Sequence, residues 1–417
     1  MEPGPRIKAS HSKASTSARR PSQKKRESIR VEDLQGFKYF RLISPLLEKL
    51  HGCKDVPNRK LHYDQHVALL LFYFFNPVLT SLRGIQQASL LPKVQKKLGI
   101  SRTSLGSLSE SARVFDPELL AEIIQDLAGQ ATNVVDHPEL EKIGKELTAV
   151  DGSILKALPR MAWALWCDDK HRAAKLHLQF EVLKGVPARA ELTDGQASER
   201  TVFRKNLEAG RLYILDRGYK EYDLFQAILD AGSSFVARVP ANTVTEVTEE
   251  RSLTEADRAA GVISDRIVRL GCEAKRDELH EPVRIVEVVL PQDTMRTGSQ
   301  ETSAQDVTLR LVTDQLDLPA EIIALCYRLR WMVELFFRWL KCILGCKHLL
   351  SQSKNGVTIQ VYAALIVSLL ISLWTGRKPT KRTFELLCFY FHGWASEEDV
   401  VAHLGSLKFW EDIPQNA

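Results

Sequence analysis

Two aspartates stand at the ends of short apolar runs, each with a glycine close behind. They are Asp151 in Val150-Asp151-Gly152-Ser153 and Asp216 in Leu215-Asp216-Arg217-Gly218-Tyr219. An acid at a strand end points into the crevice where α/β sheets bind ligands, and glycine lets a ligand approach the backbone. Asp-Gly is also a common turn dipeptide, so each aspartate taken alone reads at least as well as a turn. A third acid has a more telling setting. On a helical wheel at about 100° per residue, Tyr327, Arg330, Glu334, Arg338 and Lys341 fall within about 80° of arc. Leu329, Met332, Val333, Phe336 and Leu340 lie outside it. One carboxylate therefore sits among phosphate-grade donors on an otherwise apolar helix. A solvated face with Arg330–Glu334 and Glu334–Arg338 ion pairs would contribute only a few tenths of a kcal/mol per pair. A tyrosine hydroxyl, arginine forks and a lysine point charge suit a nucleic-acid backbone.

Tyr327-x2-Arg330-x3-Glu334-x6-Lys341 resembles the YREK signature of the IS-four family of bacterial insertion-sequence transposases. Asp151 and Asp216 match that family's first two catalytic acids, 65 residues apart, and Glu334 follows 118 residues later. The resemblance covers roughly residues 145–375. It implies an RNase H-like nucleotidyl-transfer domain in which Asp151, Asp216 and Glu334 form the catalytic DDE triad and hold metal. Arg330, Lys341 and Tyr327 would hold the DNA end; Arg338 on the same stripe, and Arg217 and Tyr219 beside Asp216, are further candidate DNA contacts.

Such chemistry needs an activated water or 3′-hydroxyl and a stabilised leaving oxygen, which two divalent ions can provide. Hard Mg²⁺ suits carboxylate oxygens; the expectation is two Mg²⁺ ions, with Mn²⁺ as a substitute. The implied partners are double-stranded DNA, as transposon ends and target, and a second copy of the chain in a synaptic dimer. The rival reading is a non-catalytic or domesticated DNA-binding relative, which the presence of all three acids disfavours. A carbohydrate hydrolase built on two carboxylates explains neither Arg330 nor Lys341. Other clusters carry less. Cys167, His171 and His177 lack a second zinc-ligand pair. Cys342 and Cys346 read as buried thiols, and Trp331 and Trp339 as core packing.

The elements that must position these groups follow from patterning. The fold expected is α/β: an RNase H-like mixed sheet with a β-rich insertion and an N-terminal helical domain. Residues 1–30 hold nine Lys/Arg against two acids, whereas the remainder has 48 basic and 50 acidic residues. The net charge of +5 is thus concentrated in one tail, read as disordered. Residues 31–140 read as helical and DNA-binding, starting with an apolar pattern from Leu34 to Leu42. Helix, Gly99 turn and helix over 93–115 are compatible with helix-turn-helix geometry.

Residues 145–240 read as strands near 147–153, 176–183, 188–192, 212–219 and 234–239, with helices at 198–207 and 222–231. Residues 241–310 read as the insertion. Residues 311–375 complete the core, with one long helix from Leu318-Pro319 past Lys341, and residues 376–417 form a helical end. At 417 residues, 44% hydrophobic and 26% charged, the chain can bury a sizeable core. No secretory apolar region opens it, and Val361–Trp374 is short for a membrane span. Seven scattered cysteines read as reduced thiols. Together these features predict a cytoplasmic protein with no membrane partner, and the resemblance implies a bacterial one.

Overall fold

A computed structural model describes residues 47–51, 59–135, 137–156, 161–165, 172–271, 278–290, 307–343 and 349–407. The basic tail, the Leu34–Leu42 pattern, Cys167, His171 and Cys346 lie outside the described residues.

The N-terminal helices are α1 (Tyr63–Phe74), α2 (Leu82–Ala88), α3 (Pro92–Leu98), α4 (Leu105–Val114), α5 (Glu118–Gln130) and α6 (Pro138–Glu141). Their limits follow local chemistry. The Ser81 and Ser104 hydroxyls accept from the backbone N–H groups of Gly84 and Ser107, capping α2 and α4. Pro92 opens α3, and Gly99 ends it at φ 63°, a left-handed conformation that favours glycine.

Nine strands follow: β1 (Glu146–Lys156), β2 (Ala173–Glu181), β3 (Val186–Asp194), β4 (Arg211–Leu215), β5 (Ser234–Val239), β6 (Thr245–Glu250), β7 (Val262–Leu270), β8 (Val283–Leu290) and β9 (Val307–Thr313). They form one mixed sheet in the order β3-β2-β1-β4-β5-β9-β8-β7-β6. β1, β4 and β5 are mutually parallel, and the remaining pairs are antiparallel. The segment expected as an insertion therefore continues the core sheet. β9 pairs with β5 at Val236–Thr313, so a boundary at residue 310 would cut through a strand of the common sheet.

Between and after the strands lie α7 (Glu199–Lys205), α8 (Tyr222–Asp230), α9 (Glu255–Ala259), α10 (Ala320–Leu329), α11 (Trp331–Ile343), α12 (Lys354–Thr375), α13 (Lys381–Phe391) and α14 (Glu397–Ser406). Strand side chains alternate between faces. Ala149, Ile214 and Val236 enter one core with α5, α10, α11 and α12. Val150, Leu215 and Ala237 enter a second core with Phe203 of α7 and Phe225 of α8. α12 is longer than the apolar run suggested. At 22 residues it is long and apolar enough to cross a membrane, yet 94% of its most apolar window is buried in the protein. It packs against α1, α4 and α5, so the N-terminal helices share the main core with the sheet.

Candidate active site

The alternation that builds the sheet also places its acids. Val150 pairs with Leu215 in the parallel β1–β4 ladder, and both enter the second core. The residues after them, Asp151 and Asp216, thus turn to the opposite face, under α10 and α11. β4 stops at Leu215, while β1 runs on to Lys156 along β2. The loss of one neighbour opens a crevice beside Asp151. This corrects the sequence reading of β1, since Asp151-Gly152 is neither a strand end nor a turn. Gly152 has a different reason to be glycine: a Cβ there would lie 2.7 Å from Cδ of Glu199. Asp216 does follow its strand and leads into a 3-10 turn at Arg217–Tyr219.

The single long helix expected over residues 320–341 is two helices meeting at Arg330. Around that residue the bonds tighten to i→i−3, from Arg330 N–H to Tyr327 O and from Val333 N–H to Arg330 O. Three stripe residues converge at this junction. The Tyr327 hydroxyl donates to Asp216 Oδ1 at 3.1 Å. Arg330 donates through Nη2 to Glu334 Oε1, and its Nη1 lies 3.8 Å from Asp151 Oδ2. Asp151, Asp216, Tyr327, Arg330 and Glu334 are thereby brought together.

The other expected contacts lie toward solvent or further along α11. Arg338 is exposed, its guanidinium 5.6 Å from the ring centre of Trp331. Lys341 lies two turns beyond Glu334, and Arg217 is exposed. Trp331 is exposed rather than a core residue, whereas Trp339 is buried. Cys342 is exposed, against expectation, while Cys326 and Cys388 are buried thiols, and burial pushes both up to about 12. Tyr219 is buried and donates to Glu199 Oε2 at 3.2 Å, which removes it as a DNA contact.

Charge at the site is unevenly balanced. Burial pushes Asp151 up to about 6; Arg330 and the Gly152 N–H oppose this, and Glu199 and Glu334 add to it. Tyr327 rises to about 12 through burial and the Asp216 charge. Burial works against the Arg330 cation, but Tyr327, Asp216, Glu334 and Asp151 outweigh it and hold its pKa above the usual value.

Two residues near this centre escaped the sequence reading. Glu199 packs over Gly152, with Lys175 Nζ at 3.4 Å, on the strength of a contact 47 positions away in sequence. Arg238 follows Ala237, which pairs with Leu215, so it lies beside Asp216 and its charge acts on Tyr327. Alternation along β5 would have found it, had the β4–β5 pairing been known.

An all-oxygen donor set short of positive charge fits a hard divalent cation. Among the described residues, however, no three acidic, histidine or cysteine side chains form a ready metal cluster. The expected ligand set is instead linked through Arg330 and Tyr327.

The transposase DDE domain model matches residues 142–370, more than half of the chain. This chain belongs to the DDE transposase family. The matched stretch contains β1–β9 and the Arg330 junction, hence every acid described above. The y4zB protein of Sinorhizobium fredii, named as a transposase, is 28% identical over 61% of this chain and 67% of its own. A protein of Geobacillus stearothermophilus, named as the transposase of insertion sequence element IS5377, is 25% identical over 70% of this chain and 72% of its own. A solved piggyBac transposase synaptic complex with hairpin DNA aligns over 88% of this chain and 78% of its own, at 10% identity and a TM-score of 0.39. The protein is accordingly a DNA transposase, and DDE transposases generally use divalent metal ions.

Proposed function

We propose that this DDE transposase binds the ends of its element and carries out metal-dependent phosphodiester cleavage and strand transfer, a cut-and-paste reaction on an RNase H-like core. Asp151, Asp216 and Glu334 are the catalytic acids and the cation ligands. The observation that carries this reading is the Arg330 guanidinium, which touches Asp151 and Glu334 while Tyr327 of the same junction holds Asp216.

Divalent cations, when bound, supply activation of the attacking oxygen and stabilisation of the leaving one. The chain's own residues do the rest. Arg330 neutralises the acids until cation and DNA arrive, and then its planar fork is free to take a phosphate. Tyr327 keeps Asp216 oriented through its hydroxyl. Arg338 and Arg217, which are exposed, and half-buried Lys341 contact the DNA backbone, and Arg238 adds charge beside Asp216. The helices α2 to α4, with exposed Lys93, Lys96 and Arg102, bind DNA outside the crevice. Two copies assemble with the two ends.

The test uses a plasmid carrying this gene with its flanking DNA, incubated with Mg²⁺ or Mn²⁺. Asp151→Asn, Asp216→Asn and Glu334→Gln should each lower cleavage by about 10³-fold or more, ~4 kcal/mol of barrier, while DNA binding persists. Near-normal cleavage by any one variant removes that residue from the triad. Metal-independent binding with no cleavage by the wild type would favour a non-catalytic relative.

A further inference from the structure

The helix that carries Tyr327 begins without a cap of its own. Its N-cap is Pro319, which has no side-chain acceptor, and a helix start leaves backbone N–H groups to be satisfied from elsewhere. The partner comes from another element, the short helix α9 between β6 and β7. Asp257 Oδ1 accepts from the backbone N–H of Glu321 at 3.0 Å. Its Oδ2 is fixed by the Thr254 backbone N–H at 2.9 Å and the Thr254 hydroxyl at 2.8 Å. Asp257 is buried, and 64 residues separate it from the amide it caps.

A second tie holds the loop just before that helix. Arg284 on β8 donates to Asp265 on β7 through Nε and Nη2, both at 2.7 Å, and both side chains are 4% exposed. The remaining Nη1 turns to the loop and donates to the carbonyls of Leu316 at 3.1 Å, Gln315 at 3.4 Å and Leu318. Arg251 also donates to Leu316 O. The contacts described at the acid crevice do not involve β6 to β8, yet three of the buried or half-buried polar groups in this region, Asp257, Arg284 and Arg251, end on residues 315–321.

We propose that the β6–β8 segment is a clamp that sets the position of α10, and with it of Tyr327 and Arg330, with Arg284 and Asp257 as positioning residues. The proposal rests on the catalytic reading above for what α10 positions. The geometry explains why two ties are needed. From Glu321 to Arg330 the helix runs about 14 Å, and a slip of one residue turns its face by about 100°. Such a slip would take the Tyr327 hydroxyl off Asp216 and the Arg330 fork off Asp151. A capped first turn together with a fixed loop removes both translation and rotation. The buried Arg284–Asp265 pair holds the Arg284 fork so that one nitrogen is left over for the carbonyls.

The experiment compares wild type with Asp257→Ala and with the double variant Asp265→Leu/Arg284→Met. The double variant removes the pair without leaving a buried charge, so it should fold. Two quantities are measured: hydrogen exchange of amides 320–330 without DNA, and nicking of the plasmid described above at saturating protein, beside its affinity. Faster exchange confined to that helix, with nicking slowed by about 10²-fold at unchanged affinity, is the expected result. Asp257→Asn keeps one acceptor for the Glu321 amide but sets its NH2 against the Thr254 N–H, so it should recover only part of the loss. Unchanged exchange over 320–330 overturns the clamp, and so does altered exchange with wild-type nicking per folded molecule. Asp151→Asn run alongside keeps the failures apart, because wild-type nicking by that variant sinks the catalytic reading while the exchange result still decides the clamp.

Discussion

Two arginines in this protein each face an aspartate from a neighbouring element, and they are held in opposite ways. Arg284 and Asp265 make a closed fork, two bonds of 2.7 Å with the third nitrogen also committed to carbonyls. Arg330 divides itself between Glu334 and Asp151, reaching the latter at only 3.8 Å, and its buried Nε finds no partner among the described residues. The side chains of Asp151 and Glu334 stay 23% and 32% exposed, against 4% for Asp265. The difference is that between a joint and a latch. A fully used fork in a dry site resists exchange of partners, whereas a shared fork at a crevice mouth can release carboxylates to a cation and accept a phosphate.

The largest effect should come from breaking the closed fork on one side. Arg284→Met leaves Asp265 buried without a partner and should cost ~3–5 kcal/mol of stability, read from chemical denaturation. If the loss stays below about 1 kcal/mol, the site is wetter than its burial implies, and the contrast with Arg330 disappears.

Arg330→Met is the counterpart and should show the reverse balance. Stability should change by less than in Arg284→Met, because Asp151 and Glu334 retain access to water. Cleavage should fall by about 10²–10³-fold, as for loss of one preorganised donor at a charged transition state. Arg330→Lys should not restore it, since one ammonium cannot reach two carboxylates as a planar fork does. Full rescue by lysine would reduce Arg330 to a point charge.

The joint and the latch were unequally legible in the sequence. The stripe from Tyr327 to Glu334 could be read because helical periodicity is local, and β4 with its terminal Asp216 could be read because strand and turn signals are local too. The break at Arg330 has no proline or glycine to announce it; it shows only in the i→i−3 bonds at the docked junction. The joint was invisible, because Asp265, Arg284 and Leu316 meet through the β7–β8 register and a loop more than 30 residues beyond it. The continuation of the sheet through β9 is hidden for the same reason. Two misplacements were avoidable. At about 100° per residue, Trp331 and Cys342 fall near +40° and +60°, at the edge of the polar arc, whereas Trp339 falls near +120°. The wheel already put the first two toward solvent, where they lie.

His66 in α1 shows a third treatment of a buried titratable group, with no partner for its Nδ1 among the described residues. Burial lowers its pKa from 6.5 to about 4. The folded state therefore holds the ring neutral while the unfolded chain protonates below about pH 6.5. Its contribution is complete above pH 6.5 and is lost as pH falls toward 4, by up to ~3 kcal/mol at 1.36 kcal/mol per unit. Stability of wild type should drop across that window more steeply than that of His66→Leu. Parallel curves for the two proteins would mean that water reaches the ring.

The smallest effects belong to the exposed end of the stripe. Arg338 and Lys341 continue the face of Arg330 beyond the acids, one to two turns past Glu334. Arg338→Ala should leave stability within about 0.5 kcal/mol, as for an ordinary surface change. If both cations meet DNA phosphates, each alanine variant should weaken binding of any DNA sequence and lower the slope of log affinity against log salt by about 1. Cleavage of DNA already bound should remain as in wild type. That pattern would separate the two ends of the stripe: Arg330 acts at the reacting phosphate, whereas Arg338 and Lys341 act on capture. An unchanged salt slope with slower cleavage of bound DNA would instead extend the latch to the far end of α11 and give Lys341 a role beside the acids.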